Sequence, residues 1–315
     1  MAWRQAADCG SACRMSAEAV PDTQTRGLLA ILPAAARPYA LLARFDRPIG
    51  WWLLFWPGAW AVALAGAAVP RWGLVLLLLA GSIAMRGAGC VYNDIVDRDL
   101  DRQVARTAAR PVASGAVSVR AATVWLAVLL ALGLLVWLQL GWPARLTALA
   151  SIAPVAAYPF MKRITWWPQV WLGLVFSWAA LVGWVEATGS MSAAGLWLYA
   201  GSIVWVVGYD TIYAVQDLED DALVGVRSSA RRLGANVRGG VAIFYGLALA
   251  GWALAIWSER PDPLALVGLA PAALHLGWQV ATLAPADGAS ALHRFRANRT
   301  TGLLVLLACL VVGSA

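Results

Sequence analysis

The chain has 315 residues, 61% of them hydrophobic and 13% charged, with a mean hydropathy of +0.68. No soluble core of this length needs so much apolar material, so the composition is that of a membrane protein. The net charge of +7 does not mark a nucleic-acid partner, because the basic residues lie between long apolar runs; Cys9, Cys13, Cys90 and Cys309 are too few and too scattered for a disulfide framework.

In chain order, residues 1–38 carry Arg4, Arg14, Arg26 and Arg37 but also Asp8, Glu18 and Asp22. Those acids argue against a transit peptide, and there is no apolar run for a signal peptide. The segment reads as a cytoplasmic tail ending in a short amphipathic helix on the membrane. Residues 39–315 read as one all-α, polytopic membrane domain. Its apolar runs predict nine transmembrane helices, at about 49–69, 73–92, 121–140, 143–160, 168–187, 194–215, 238–258, 262–284 and 299–314. Most approach the ~20 residues that cross a ~30 Å hydrocarbon core. Pro154 and Pro271 fall inside spans, where neighbouring helices satisfy the freed carbonyls. Trp51, Trp52, Trp72, Trp142, Trp166 and Trp167 fall near span ends, as interfacial indoles do.

Lysine and arginine test this topology. With nine spans, twenty of the 24 basic residues fall on the side of the N-terminus. Only Arg71, Arg145 and Arg260 fall opposite, and Arg86 lies within the second span. This is the positive-inside pattern, with the N-terminus cytoplasmic and the C-terminus outside.

Eight of the seventeen acids cluster in two short segments, one from Asn93 and Asp94 through Asp97 and Asp99 to Asp101, the other Asp217, Glu219, Asp220 and Asp221. Each follows an even-numbered span, the second and the sixth, so both belong to the cytoplasmic rim. Asn93, Asp97 and Asp101 are four residues apart, as are Asp217 and Asp221, a spacing that stacks side chains on one helix face. Each such like-charge pair costs about 0.2–0.5 kcal/mol, and acids at a membrane boundary cost more. Mg²⁺, a hard cation that takes oxygen ligands, offsets that cost. Arg98, Arg102, Arg106 and Arg110 follow the first cluster, and Lys162 and Arg163 lie between the two in sequence. Guanidinium and ammonium groups match phosphate oxygens. Carboxylates, Mg²⁺ and basic residues at the mouth of an apolar bundle describe a site for an isoprenoid diphosphate, with Arg102 and Arg106 among the substrate-binding candidates. A solvated acidic loop would need no metal, but two such clusters on one rim argue against it. The equal spacing also predicts two pseudo-repeated four-helix halves whose loops face each other across a central cavity.

The same residues resemble those of UbiA-type aromatic prenyltransferases, in the branch that acts on 4-hydroxybenzoate in ubiquinone biosynthesis. The likeness runs from about residue 40 to the end. It rests on Asp46 to Gly50, Ala84 to Cys90, the first aspartate motif, Arg106 to Pro111, Ser114 to Ala116, Tyr158 to Arg163, Pro168-Gln169, Tyr209-Asp210-Thr211 and the second aspartate motif. The first motif is common to the superfamily; Tyr158 to Arg163 and Tyr209 to Thr211 favour 4-hydroxybenzoate. The resemblance implies nine helices around a cavity open sideways to lipid, with polyprenyl diphosphate and 4-hydroxybenzoate as substrates. It also implies Asn93, Asp97, Asp101, Asp217 and Asp221 as ligands of Mg²⁺ and diphosphate, with Asp94 and Asp220 behind them. Arg86, Lys162 and Arg163 are then the candidates to hold the diphosphate or the aromatic carboxylate.

Asp210 precedes Asp217 by two helical turns, which places it on the same face about 10 Å deeper, in reach of the acceptor's phenol. The catalytic set expected is therefore Asp97, Asp101, Asp217, Asp221, Arg163 and Asp210. The same chemistry on homogentisate, dihydroxynaphthoate or haem is the alternative. A transporter would keep its acids near the bilayer midplane, and here all but Asp210 sit at one rim. The poor transit-peptide signal points to a bacterial inner membrane, with the mitochondrial inner membrane second.

Overall fold

Backbone groups inside a bilayer must be satisfied within the protein, which favours helices. Helix is the only regular structure among the described residues of this computed structural model, 28–103, 107–218, 227–285 and 287–314. In chain order the helices are α1 (Leu28–Ile31), α2 (Arg37–Leu42), α3 (Ile49–Leu64), α4 (Trp72–Val96), α5 (Arg98–Asp101), α6 (Val119–Trp137), α7 (Trp142–Ala150) and α8 (Ile152–Ile164). They continue as α9 (Pro168–Thr188), α10 (Ala193–Ala214), α11 (Ser229–Leu233), α12 (Val237–Glu259), α13 (Pro263–Val267), α14 (Ala270–Thr282) and α15 (Gly288–Gly313), with 3₁₀ turns at Val215–Asp217 and Gly234–Asn236.

Each apolar run read from the sequence contains helix, but among the described residues six stretches are long and apolar enough to cross a membrane: Trp72–Val96, Val119–Trp137, Pro168–Thr188, Ser229–Glu259, Pro263–Thr282 and Gly288–Gly313. The other three fall short for local reasons. Helix α3 has 16 residues and the chain turns at Gly66 with φ +71°. The fourth run is broken at Ser151, between α7 and α8. In α10 the hydropathy is diluted by Tyr199, Ser202, Gly208, Tyr209 and Asp210. The last helix, read as starting at 299, begins at Gly288, where Asp287 accepts hydrogen bonds from Ala289 N (2.9 Å) and Ser290 N (3.1 Å). Its polar first turns hid it from a hydropathy reading.

The chain forms two compact units. One comprises the described residues up to Pro48 with Met85–Ala131, the other Ile49–Ala84 with Leu132 onward. In the first, Leu42 of α2 and the following Ala43 join Val91, Val112, Val117, Ala122 and Leu129 in a small core.

The second unit is built on close helix contacts. A Cβ at Gly183 of α9 would lie 2.7 Å from the Gly58 carbonyl oxygen of α3, and one at Gly251 of α12 would lie 2.7 Å from the Gly201 Cα of α10. Small residues at such crossings let backbones approach, which substitutes for the hydrophobic drive missing in lipid. Trp60, Trp205 and Trp252 pack together with ring centroids 5.1–6.0 Å apart. These indoles are core, whereas Trp72 and Trp142 at helix ends are 68% and 62% exposed. Buried side-chain amides then join four helices. Trp205 Nε1 donates to Asn298 Oδ1 (2.8 Å), Asn298 Nδ2 to Gln279 Oε1 (3.0 Å), Tyr245 OH to Gln279 Oε1 (3.1 Å) and Gln279 Nε2 to Thr301 Oγ1 (3.0 Å), which contacts His275 Nδ1 (2.9 Å).

Gly183→Val is expected to lower stability by about 1–3 kcal/mol, the cost of overpacking. Gly277→Ala, whose Cβ would meet nothing within 4 Å, should be neutral or stabilising by up to about 1 kcal/mol. Thermal unfolding in detergent distinguishes the two.

Candidate active site

Helix α4 ends at Val96, Asp97 bends the chain (φ −93°, ψ 3°), and α5 carries it to Asp101. The α-type ladder survives the bend: Asp97 N donates to Asn93 O and Asp101 N to Asp97 O, both at 2.8 Å. Asn93, Asp97 and Asp101 therefore share a face, as their spacing requires. Asp94, Asp97 and Asp101 are buried, at 1%, 0% and 5% exposure. Asp99 alone faces out, paired with Arg98 and Arg102. A merely solvated acidic loop would not bury three of its four carboxylates.

Two arginines make that burial possible. Arg44 Nη2 donates to both Asp94 oxygens (2.8 and 2.9 Å). Arg110 Nη1 reaches Asp94 Oδ1 (3.3 Å) and both oxygens of Asp101 (3.1 and 2.9 Å). Burial is the largest single influence on the Arg44 pKa and pulls it down, but Asp94, Cys90, Asp46 and the hydrogen bond to Asp94 together outweigh it and hold the guanidinium above its ordinary range. Arg44 is also the one non-glycine with positive φ (+58°) among the described residues, a strain worth about 1–3 kcal/mol.

Other predicted residues of this unit fall as follows. Arg102 Nε donates to the Ala113 carbonyl (3.0 Å) and its Nη1 to Asp99 (3.1 Å), so it fastens the following loop. Arg86 lies on α4 two turns before Asn93 and hydrogen-bonds the Cys90 sulfur. Arg106 lies outside the described residues. No group of three or more His, Cys, Asp or Glu side chains placed to hold a metal occurs among the described residues. What the first motif offers is one amide and two carboxylates on one face, a set that fits Mg²⁺, which takes one or two carboxylates and completes its shell with phosphate and water.

In the second unit, α10 carries Tyr209, Asp210 and Thr211. Thr211 Oγ1 lies 2.7 Å from Ser229 Oγ, and Ser229 N donates to Gln169 Oε1 at 3.0 Å, all three buried. This ties the starts of α9 and α11 to α10, just after the second acidic segment. Asp210 is half-buried. The 3₁₀ turn at Val215–Asp217 follows directly on α10 and interrupts the α-ladder between Asp210 and Asp217. Asp221, Glu219 and Asp220 lie outside the described residues, as do the side chains of Asp217 and Lys162.

Arg163 is exposed near the end of α8. The next carbonyl, of Ile164, accepts from Arg227 Nη1 (2.8 Å). Arg227 and Arg231 both lie over the Trp166 ring, at 5.6 and 5.5 Å. Along α10 and α15 an aromatic wall runs from Trp205 to Tyr209 (4.9 Å), Phe295 (5.8 Å from Tyr209) and Tyr213 (4.6 Å from Phe295). The roles of Arg44, Arg110 and Ser229 were not read from the sequence; polar Gln279 inside an apolar run was a usable signal, since such residues in spans have partners.

Asp94→Ala should destabilise the protein by about 3–5 kcal/mol, because it strips a carboxylate from two partly buried guanidinium groups. Asp99→Ala, at the exposed position, should stay within about 0.5 kcal/mol. Denaturant or thermal unfolding in one detergent reads both.

The model of the UbiA prenyltransferase family matches residues 54–310. The protein named 4-hydroxybenzoate polyprenyltransferase, mitochondrial, of Drosophila melanogaster is 42% identical over 302 residues, covering 93% of this chain and 76% of its own. Its namesake in Caenorhabditis elegans is 41% identical over 282 residues, covering 88% and 79%. Among solved structures, a UbiA homologue from Aeropyrum pernix gives a TM-score of 0.68 at 26% identity, over 82% of this chain and 97% of that one. A UbiA homologue from Archaeoglobus fulgidus bound to GPP and Mg²⁺ gives 0.65 at 18% identity, over 88% and 100%, a likeness of fold.

Proposed function

The chain belongs to the UbiA prenyltransferase family, and from that premise we propose that it transfers a polyprenyl group from polyprenyl diphosphate to 4-hydroxybenzoate, at the ring carbon ortho to the hydroxyl, for ubiquinone biosynthesis. The observation that carries this reading is the oxygen-bearing face on which half-buried Asn93 joins buried Asp97 and Asp101, backed by Arg110. The relatives named for this acceptor support its identity.

In this mechanism Asn93, Asp97 and Asp101 hold a divalent cation, and Asp217 and Asp221 are added as ligands from the second motif. When bound, Mg²⁺ supplies positive charge to the departing diphosphate. Arg86, Lys162, Arg163 and Arg106 bind the diphosphate or the acceptor's carboxylate. The allylic carbon–oxygen bond breaks and its electron pair leaves on the diphosphate. The ring carbon ortho to the hydroxyl bonds to the allylic carbon, and loss of the proton from that ring carbon restores aromaticity. Asp210, beside Tyr209 on α10, assists the phenol. Tyr209, Tyr213 and Phe295 form an apolar wall that keeps water from the electron-deficient allyl group.

The topology in this reading is nine spans in two four-helix halves, with the N-terminus and acidic loops cytoplasmic; the asymmetry of basic residues supports it. The relatives carry mitochondrial names, which supports the mitochondrial inner membrane, the second of the two locations expected from the sequence.

Asp97→Ala and Asp217→Ala should each abolish transfer while the protein stays folded in the membrane, and EDTA should do the same to the wild type. Arg110→Lys should weaken Mg²⁺ activation about 10–100-fold, as loss of a group orienting a metal ligand does. The assay offers labelled polyprenyl diphosphate with 4-hydroxybenzoate, homogentisate or dihydroxynaphthoate and weighs the extracted lipid by mass spectrometry. Turnover of either aspartate variant at the wild-type rate would refute the ligand assignment, and product only with another acceptor would refute the substrate.

A further inference from the structure

We infer that the first unit carries a binding groove for one anionic phospholipid, with the lipid phosphate on Arg120 and an acyl chain along Val124 and Val128. This rests on the proposed function only where the prenyl donor is set aside and the cytoplasmic side assigned. A cavity of about 840 Å³ lies between the segment containing Leu32, Tyr39 and Phe45 and the first turns of α6. Its α6 wall includes Arg120, Val124, Trp125 and Val128.

Arg120, Val124 and Val128 follow one another at intervals of four, so they form one stripe along the helix, about 12 Å from first to last. The stripe begins with a guanidinium and continues with two valines that are 60% and 42% exposed. A cation followed by an apolar track matches an amphiphile with an anionic head and a hydrocarbon tail. Arg120 is exposed and has no ion-pair partner among the described residues. The neighbouring Ser118 hydroxyl accepts from Ala121 N (3.2 Å) and is already used in starting the helix. On the opposite wall Tyr39 packs edge-on to Trp125, with centroids 6.1 Å apart. The indole N–H of Trp125 has no acceptor among the described residues, a cost the protein's own groups leave standing.

The other occupants are less well matched. An uncharged lipid leaves Arg120 without a counter-ion. The proposed function gives the prenyl donor's diphosphate a different place, at the acidic motifs with their cation and arginines, none of which lines this groove. The arginine count also puts this end of α6 on the cytoplasmic side, where the leaflet is negatively charged.

The test uses the full chain, purified and reconstituted with equal amounts of phosphatidylglycerol and phosphatidylcholine, with retained lipid counted by native mass spectrometry. One phosphatidylglycerol should be retained in preference, by about fivefold, the factor one basic residue near an anionic surface contributes. Arg120→Gln should erase the preference with prenyl transfer unchanged. Val124→Trp, which fills the groove, should reduce retention of both lipids, and Leu130→Trp, an exposed α6 position that does not line the groove, should not. Equal retention of both lipids by the wild type, or a preference that persists in Arg120→Gln, overturns the proposal. So does displacement of the lipid by polyprenyl diphosphate, which would assign the groove to the donor.

Discussion

A carboxylate leaves water only where opposite charge and hydrogen-bond donors receive it. In the first unit Asp94 meets that condition through Arg44 on one side and Arg110 on the other, and Arg110 passes the same service to Asp101. The rest of that unit is arranged to keep the chain of charges intact. Arg44 accepts a left-handed backbone to reach Asp94. Arg102 and Thr107 fix the loop that delivers Arg110, through the Ala113 and Asp101 carbonyls. With Asp94 committed to the arginines, Asn93, Asp97 and Asp101 can present their oxygens together. Asp94 is thus held from two sides and Asp101 from one, which ranks Asp94 first as the carboxylate that holds structure.

The second unit meets a different constraint. Its helices cross where glycine faces glycine, so side chains cannot mediate the contact, and specificity falls to polar groups buried between the helices. Asn298 and Gln279, completely buried, each bond to partners on other helices. From Trp205, which donates to Asn298, the aromatic wall leads through Tyr209 to Phe295 and Tyr213. The amides therefore set the rotation of α10 and α15, and with it the placement of the residues proposed to shield the reaction.

What was legible in advance followed from local regularities. Long apolar runs foretold helices, and the interval of four foretold that Asn93, Asp97 and Asp101 would stack, even though a bend intervenes. Arg44 was not legible as a partner of Asp94, because fifty residues separate them and the contact depends on a strained turn. Arg110 was seen only as one of several basic neighbours, since sequence cannot tell an arginine that meets phosphate from one that meets its own aspartate. The start of α15 escaped because arginine, histidine and asparagine fill its first turns, and hydropathy does not see a capped polar helix. The break at Ser151 and the 3₁₀ turn after Ala214 carry no strong marker either.

The amide network has one more property, which is direction. Each link from Trp205 through Asn298 and Gln279 passes a hydrogen from donor to acceptor in the same sense, so aligned dipoles reinforce one another. Thr301 Oγ1, already accepting from Gln279 Nε2, lies 2.9 Å from His275 Nδ1, and the same Nε2 lies 3.4 Å from that nitrogen. An indole on α10 thereby orients two amides in turn, so that the amino end of Gln279 is the end turned toward the imidazole on α14, with no change of charge along the way.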